Sequence, residues 1–260
     1  MGPLQVSGSA TSSGAKLGQC GRIGRPPPIV ARISRAICES SMHSPERAPA
    51  AGKLLAAFAS AMRRRRWRWY VFGGQAVLAH GKPRLTADVD VTVDLAGASV
   101  HELVGELERC GFELRFHLSK EFLEAARLLP VAHAETGLPI DVVLAFSDLQ
   151  AEFLDRRVTV DVAGAKVPMI SAEDLLATKI LAGRRKDLDD ARGVLLENEG
   201  RLALDRVYDI IKRLDASMGS EKLRRRLDRV VRTLRAQVTS DRSTHPVKLK
   251  HAHRKKRSRR

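Results

Sequence analysis

The sequence predicts an α+β fold: a small mixed β-sheet with flanking helices, followed by a C-terminal helical region. Three observations predict it. Short β-type segments cluster between residues 69 and 170, helical periodicity takes over from residue 171, and no internal repeat or alternating βα series runs through the chain. The 260 residues, 43% of them hydrophobic, suffice to bury a core in one large or two small domains.

Residues 1–50 are rich in Ser, Gly and Pro, carry Pro26-Pro27-Pro28 and have no acid before Glu39, so they read as a disordered extension. A start at Met42 and an organelle transit peptide are the other readings. Frequent Gly and the lack of an amphipathic stripe weigh against the second. Residues 51–170 form the expected α/β core, 171–220 a helical region, and 221–260 a basic helix with a disordered tail.

Each element has its own signal. From Ala51 to Arg66, Leu54, Leu55, Phe58 and Met62 recur at helical spacing, and the helix closes on the run Arg63–Arg66. Trp69–Phe72 is a short buried strand ended by Gly73-Gly74, and Gln75–His80 begins a helix. Val89–Leu95 alternates strictly, as a strand does; Val100–Cys110 is a helix and Phe112–Phe116 a strand. Leu129–His133 and Leu138–Phe146 are apolar runs joined by Glu135-Thr136-Gly137, a hairpin signal, and Arg157–Val162 pairs with Lys166–Ile170 around Gly164. Helices follow at 171–182, 185–198, 203–214 and 220–236, with Ser171 three before Asp174 as an N-cap signal.

The net charge of +16 is unevenly spread. Residues 221–260 hold sixteen Lys and Arg against three acids, whereas 51–220 hold twenty-four against twenty-five. A near-neutral body with a basic arm fits an enzyme or binding domain held near a polyanion, or a tail that only aids solubility. No apolar run approaches the roughly 18 residues of a membrane span. The cysteines Cys20, Cys38 and Cys110 form no CxxC and are odd in number, which argues against a disulfide scaffold and for a reducing, cytoplasmic setting.

Chemistry concentrates in three places. On the strand after Ala87, Val89, Val91, Val93 and Leu95 share the core face, so Asp88 and Asp90 project together from the other. Adjacent carboxylates repel, and a hard divalent cation would offset that; an exposed polar face is the plainer reading. Asp141 is the single charge in the apolar run Leu138–Phe146, which reads as an interior strand covered on both faces. An unpaired carboxylate there is costly unless it joins a cation site, lies near a strand end or meets an arginine. Gly73-Gly74, between strand and helix, allows a tight turn and close backbone approach by a phosphate, or is a simple turn.

These residues together, with Arg84 and Thr86, resemble the DNA polymerase β-like nucleotidyltransferase superfamily. Phe72-Gly73-Gly74-Gln75-Ala76, His80-Gly81, Arg84-Leu85-Thr86-Ala87-Asp88-Val89-Asp90 and the helical segment Glu173–Arg184 followed by Lys186–Asp190 are similar to its AbiEii-type and minimal branch. The resemblance covers roughly residues 54–215. It implies that Asp88, Asp90 and Asp141 hold Mg²⁺ or Mn²⁺, that Gly73 and Gly74 cradle phosphate of an NTP, and that Arg84 and Thr86 touch phosphate or the residues around it; strand-entry hydrogen bonding and surface charge are their plainer roles. Lys179 shares an apolar face with Leu175 and Leu176, so it must snorkel or meet an anion; the resemblance implies nucleotide binding, followed by a functional Asp. Asp187 and Asp190 both match, three apart on one helix face, and pairing with Arg184 or Lys186 is their plainer role.

The implied activity is transfer of a nucleoside monophosphate to an acceptor hydroxyl. RNA or tRNA, reached through the basic tail, would make the protein a toxin with an antitoxin partner; a small molecule such as an antibiotic is the other acceptor. A glycosyltransferase using the DxD leaves Asp141 and the glycine turn unexplained, and a non-catalytic nucleic-acid binder would keep the fold without turnover.

Overall fold

The computed structural model describes residues 47–82, 88–116, 119, 121, 125 and 127–244. The order is α1 (Arg47–Arg65), β1 (Arg68–Phe72), α2 (Gly73–His80), β2 (Val89–Asp94), α3 (Val100–Glu108), β3 (Phe112–Leu114), β4 (Leu128–His133), β5 (Pro139–Leu144), α4 (Asp148–Arg156), β6 (Val158–Val162), β7 (Ala165–Met169), α5 (Ala172–Ala182), α6 (Arg185–Glu197), α7 (Leu204–Ser217) and α8 (Lys222–Thr244). The α+β expectation holds: one mixed seven-stranded sheet is flanked by helices, and the described residues after the sheet, from Ala172 to Thr244, are helical. Among the described residues no helix is long and apolar enough to cross a membrane.

The strand order is β3-β4-β5-β2-β1-β7-β6. Strand β2 runs antiparallel to β1 and parallel to β5, and β4–β5 and β6–β7 are the two anticipated hairpins. Alternation in β2 and β5 sends Val89, Val91, Val93, Ile140, Val142 and Leu144 to one buried face. Phe58 of α1 anchors that face, stacking edge-on with Trp69 (5.0 Å) and Phe112 (5.9 Å). The two tryptophans, Trp67 and Trp69, are core residues.

The opposite face receives α2 and the C-terminal helices. His80, at the end of α2, bonds through Nε2 to the Ile170 carbonyl (2.8 Å), and burial holds its pKa below the usual value, so the neutral ring donates. Ser171 caps α5 by accepting the Asp174 N–H (3.2 Å), as its spacing indicates. Asp174 is fully buried, and Arg156 reaches it at 3.0 Å. One apolar cluster runs from the sheet through α5–α8 and includes Leu223, Leu227, Val230 and Val231.

Three differences from the sequence reading have physical causes. Helix α4 carries no strong apolar stripe; its start is set by Ser147 accepting the Gln150 N–H (3.3 Å) and its packing by Phe153 and Leu154. Strand β3 stops at Leu114, not Phe116. Strand β5 is central, yet only alternate residues are buried; its second face is partly open at Asp141, so the expectation of cover on both faces is corrected. Arg84 and Thr86, and the extension up to residue 46, lie outside the described residues.

Helix α8 begins with a borrowed cap: the Asp215 carboxylate of α7 accepts the Leu223 N–H (3.0 Å) and the Arg224 N–H (2.8 Å). Asp215→Ala is expected to lower stability by about 1–2 kcal/mol, the usual loss for a removed cap. The urea midpoint should fall with the slope of the transition unchanged.

Candidate active site

Strands β2 and β5 are in register, with Asp90 opposite Asp141 and Val91 opposite Val142. Side chains of facing residues on parallel strands project from the same side, and neighbouring strands lie roughly 4.8 Å apart. Asp90 and Asp141 therefore rise side by side from the face opposite the valine core. Asp88, one pleat before Asp90, is exposed at the entrance to β2.

The glycine turn closes on this pair. Phe72 is registered against Asp90, so α2 starts directly over the Asp90 carboxylate. Gly73 has φ +64°, in the left-handed region, and a Cβ there would overlap Asp90 Oδ2. Glycine is thus required for its backbone and for its missing side chain. The Gly74 N–H bonds to Asp90, using one of the free donors at the helix start.

Burial and the facing charge of Asp141 push the Asp90 carboxyl above its usual pKa. The Gly74 N–H and Lys179 act the other way, and Asp88 adds to the rise. Asp90 is a group for which a cation would relieve real repulsion.

Lys179 meets the anion its apolar surroundings demand. Its Nζ is buried and lies 2.8 Å from Asp190 and 3.1 Å from Asp187. Arg184 closes on Asp187 at 2.6 Å. Burial pushes the Asp187 carboxyl up, but Arg184 and Lys179 outweigh it and hold it below the usual range. Both carboxylates that the sequence could not separate thus grip one lysine. The plainer pairing with Arg184 also exists, and Lys186 takes no part in it.

Arg115 was not singled out by the sequence. It leaves β3 beside β4, where Pro130 is registered against Asp141, and its guanidinium stands 3.4 Å from Asp141 Oδ1. No local signal marks it, since the contact exists only through strand pairing.

Among the described residues, no three His, Cys, Asp or Glu side chains stand close enough to hold a cation as they are. The donor set still suits one: hard oxygens, registered backbones, and a buried carboxylate whose charge is disfavoured by its neighbours.

No curated protein matches this chain. Solved structures similar to it include an antigenic nucleotidyltransferase-like protein from Paracoccidioides brasiliensis, at 18% identity over 66% of this chain and 90% of that one, with a TM-score of 0.42. The antibiotic-resistance factor ANT(2'')-Ia aligns at 16% identity over 74% of this chain and 96% of its own, with a TM-score of 0.42. A putative nucleotidyltransferase from Thermotoga maritima aligns at 16% identity over 68% and 99%, with a TM-score of 0.33. Likenesses this distant say nothing of substrate. The family model described as "Nucleotidyltransferase of unknown function (DUF6036)" matches residues 53–235, which take in the glycine turn, both acid-bearing strands and the helices behind them, and the chain belongs to that nucleotidyltransferase family.

Proposed function

We propose that this nucleotidyltransferase transfers a nucleoside monophosphate from an NTP to an acceptor hydroxyl, with Asp88, Asp90 and Asp141 as its catalytic carboxylates. The observation that carries the proposal is the register of Asp90 with Asp141 beneath the Gly73-Gly74 turn. In the reaction, a bond forms between the acceptor oxygen and the α-phosphorus, the bond from that phosphorus to the bridging oxygen breaks, and pyrophosphate leaves. The three carboxylates would hold Mg²⁺ or Mn²⁺, which supplies charge neutralisation for both the attacking and leaving oxygens.

The remaining roles belong to the chain itself. The first amides of α2 offer donors to phosphate at the glycine turn. Asp141, which stands beside Arg115, would accept the proton of the acceptor hydroxyl. Lys179 lowers the charge penalty at Asp90 and is itself held by Asp187 and Asp190. Arg84 and Thr86 are assigned to phosphate on the strength of the resemblance alone.

For the acceptor, the reading is RNA, such as tRNA, in the manner of an AbiEii-type toxin restrained by an antitoxin. The sixteen Lys and Arg of residues 221–260 support it. The near-neutral body favours a small molecule, such as an antibiotic, as the second acceptor. Labelled NTP supplied with Mg²⁺ and either bulk tRNA or an antibiotic panel separates the two, and retained RNA binding without any labelled product would indicate a non-catalytic relative.

Asp90→Asn is expected to reduce transfer at least about a hundredfold, since it removes several kcal/mol of charge stabilisation. The same variant should raise Tm at neutral pH. A carboxyl whose pKa is raised on folding binds more protons in the native state, so stability falls as pH climbs through its folded pKa, and the neutral amide avoids that loss. The Tm gain should vanish in acid, and thermal melts at several pH values check the sign.

Gly73→Ala should lower transfer at least about tenfold while costing only about 1–2 kcal/mol in stability, the penalty of a left-handed alanine. The added methyl displaces Asp90, so the loss should come with weaker Mg²⁺ dependence of the rate. Removing residues 245–260 takes away eight Lys and Arg but none of the buried α8 residues. RNA affinity should weaken while affinity for NTP stays unchanged, as a salt-controlled titration of both ligands would register.

A further inference from the structure

The run Arg63–Arg66 divides between two sides of the molecule. Arg64 and Arg65 turn toward α3, pairing with Glu106 (2.6 Å) and Glu102 (2.8 Å). Arg63 and Arg66 instead line a cleft of about 440 Å³ between the end of α1, the start of β1 and the β6–β7 hairpin. Arg68, Arg157 and Lys166 line it too, so five cations drawn from three parts of the chain face one hollow, and no acid lines it.

Other arginines of the folded body, Arg109, Arg156, Arg192 and Arg213 among them, are matched to a carboxylate. Among the described residues, Arg63, Arg66 and Lys166 make no ion pair and no side-chain hydrogen bond. Arg68 is held by Asp94 and Asp155 from outside the cleft, at 2.7 Å each, and Arg157 donates to the Leu154 carbonyl. Asp161 is registered against Lys166, but its carboxylate accepts the Gly164 N–H (2.8 Å) in the hairpin turn. Arg66 also sits at φ +57°, a conformation ordinary side chains avoid.

The helix dipole accounts for basic residues at the end of α1. It does not account for Arg157 and Lys166, which arrive from another hairpin. Gathering Arg63, Arg66 and Lys166 without carboxylate partners, beside Arg157, is unfavourable unless an anion repays it, and the guanidinium groups among them carry planar donors that match phosphate. A nucleotide has its place at the other end of the sheet. Arg68 and Phe72 are the two ends of β1, roughly 13 Å apart at about 3.3 Å per residue, with the carboxylate cluster beyond Phe72.

We propose that this cleft is a docking site for the phosphate backbone of single-stranded nucleic acid, separate from the catalytic end. It deepens the reading of an RNA acceptor: the strand is gripped at the cleft while its terminus reaches Asp141. The site reads charge and not sequence, because its cations face a groove and its tryptophans are buried.

The test is fluorescence anisotropy of a labelled single-stranded oligoribonucleotide against the full chain, without NTP, over a salt series. Arg63→Glu combined with Lys166→Glu should weaken binding at least about tenfold and flatten the log–log salt slope by roughly 1.4, about 0.7 for each lost phosphate contact. Lys212→Glu with Arg201→Glu, an equal charge change at exposed positions outside the cleft and the basic C-terminal arm, should leave both near wild type. Arg66→Gly should also weaken binding while Tm holds or rises, because glycine accepts that backbone angle, so loss of fold cannot explain the result. Equal losses in the cleft pair and the control pair would overturn the proposal, as would competition by polyglutamate as effective as unlabelled RNA. Asp90→Asn should bind the oligonucleotide normally, so a failure of the transfer reading is seen apart from a failure of the cleft.

Discussion

Two carboxylates side by side on adjacent strands repel each other, and the rest of this fold is arranged around holding them there. Asp90 and Asp141 are registered across the parallel β2–β5 pair, and slipping either strand by one residue would turn its acid toward the valine core. The valines therefore enforce the acids: burying Val89, Val91, Val93, Ile140 and Val142 on one face obliges the aspartates to share the other. The repulsion is balanced locally, by the Gly74 amide and Lys179 at Asp90 and by Arg115 at Asp141. Under the proposed reaction, a cation and a triphosphate would relieve that unfavourable charge.

The C-terminal helices serve that same site from behind. Lys179 stands on α5, and the carboxylates that fix it stand on α6, so the lysine beside the sheet is oriented by a second helix. The turn between them is set by Gly183, at φ +64°, where a side chain would overlap the Arg226 guanidinium of α8. Arg226 in turn donates to the carbonyls of Ile180 and Leu181 at the end of α5. Packing, capping and charge pairing thus run through the same residues, and α8 belongs to the folded body and not to a loose arm.

Charge is sorted along the sheet. Acids gather where β2 and β5 begin, and unpaired cations gather where β1 begins and the β6–β7 hairpin meets α1. Because β1 runs antiparallel to β2, its start lies at the far end from Asp90. A polyanion spanning that length would meet attraction at one end and, without cations, repulsion at the other.

The sequence by itself determined the element pattern, because hydrophobic period and turn chemistry are local: the strict alternation of Val89–Leu95, the Glu135-Thr136-Gly137 turn and the Ser171 cap each state their structure within a few residues. It also led to the expectation, from the pleat alone, that Asp88 and Asp90 share a face, although β2 begins only at Val89. Helix α4 escaped notice because its signal is a cap and two buried residues, not a stripe. Only the tertiary structure decided that Asp141 stands next to Asp90, that Lys179 faces both Asp187 and Asp190, and that Arg115 reaches Asp141. Those contacts join residues far apart in the chain through strand register and helix packing, and nothing in the local sequence encodes which distant strand will become a neighbour.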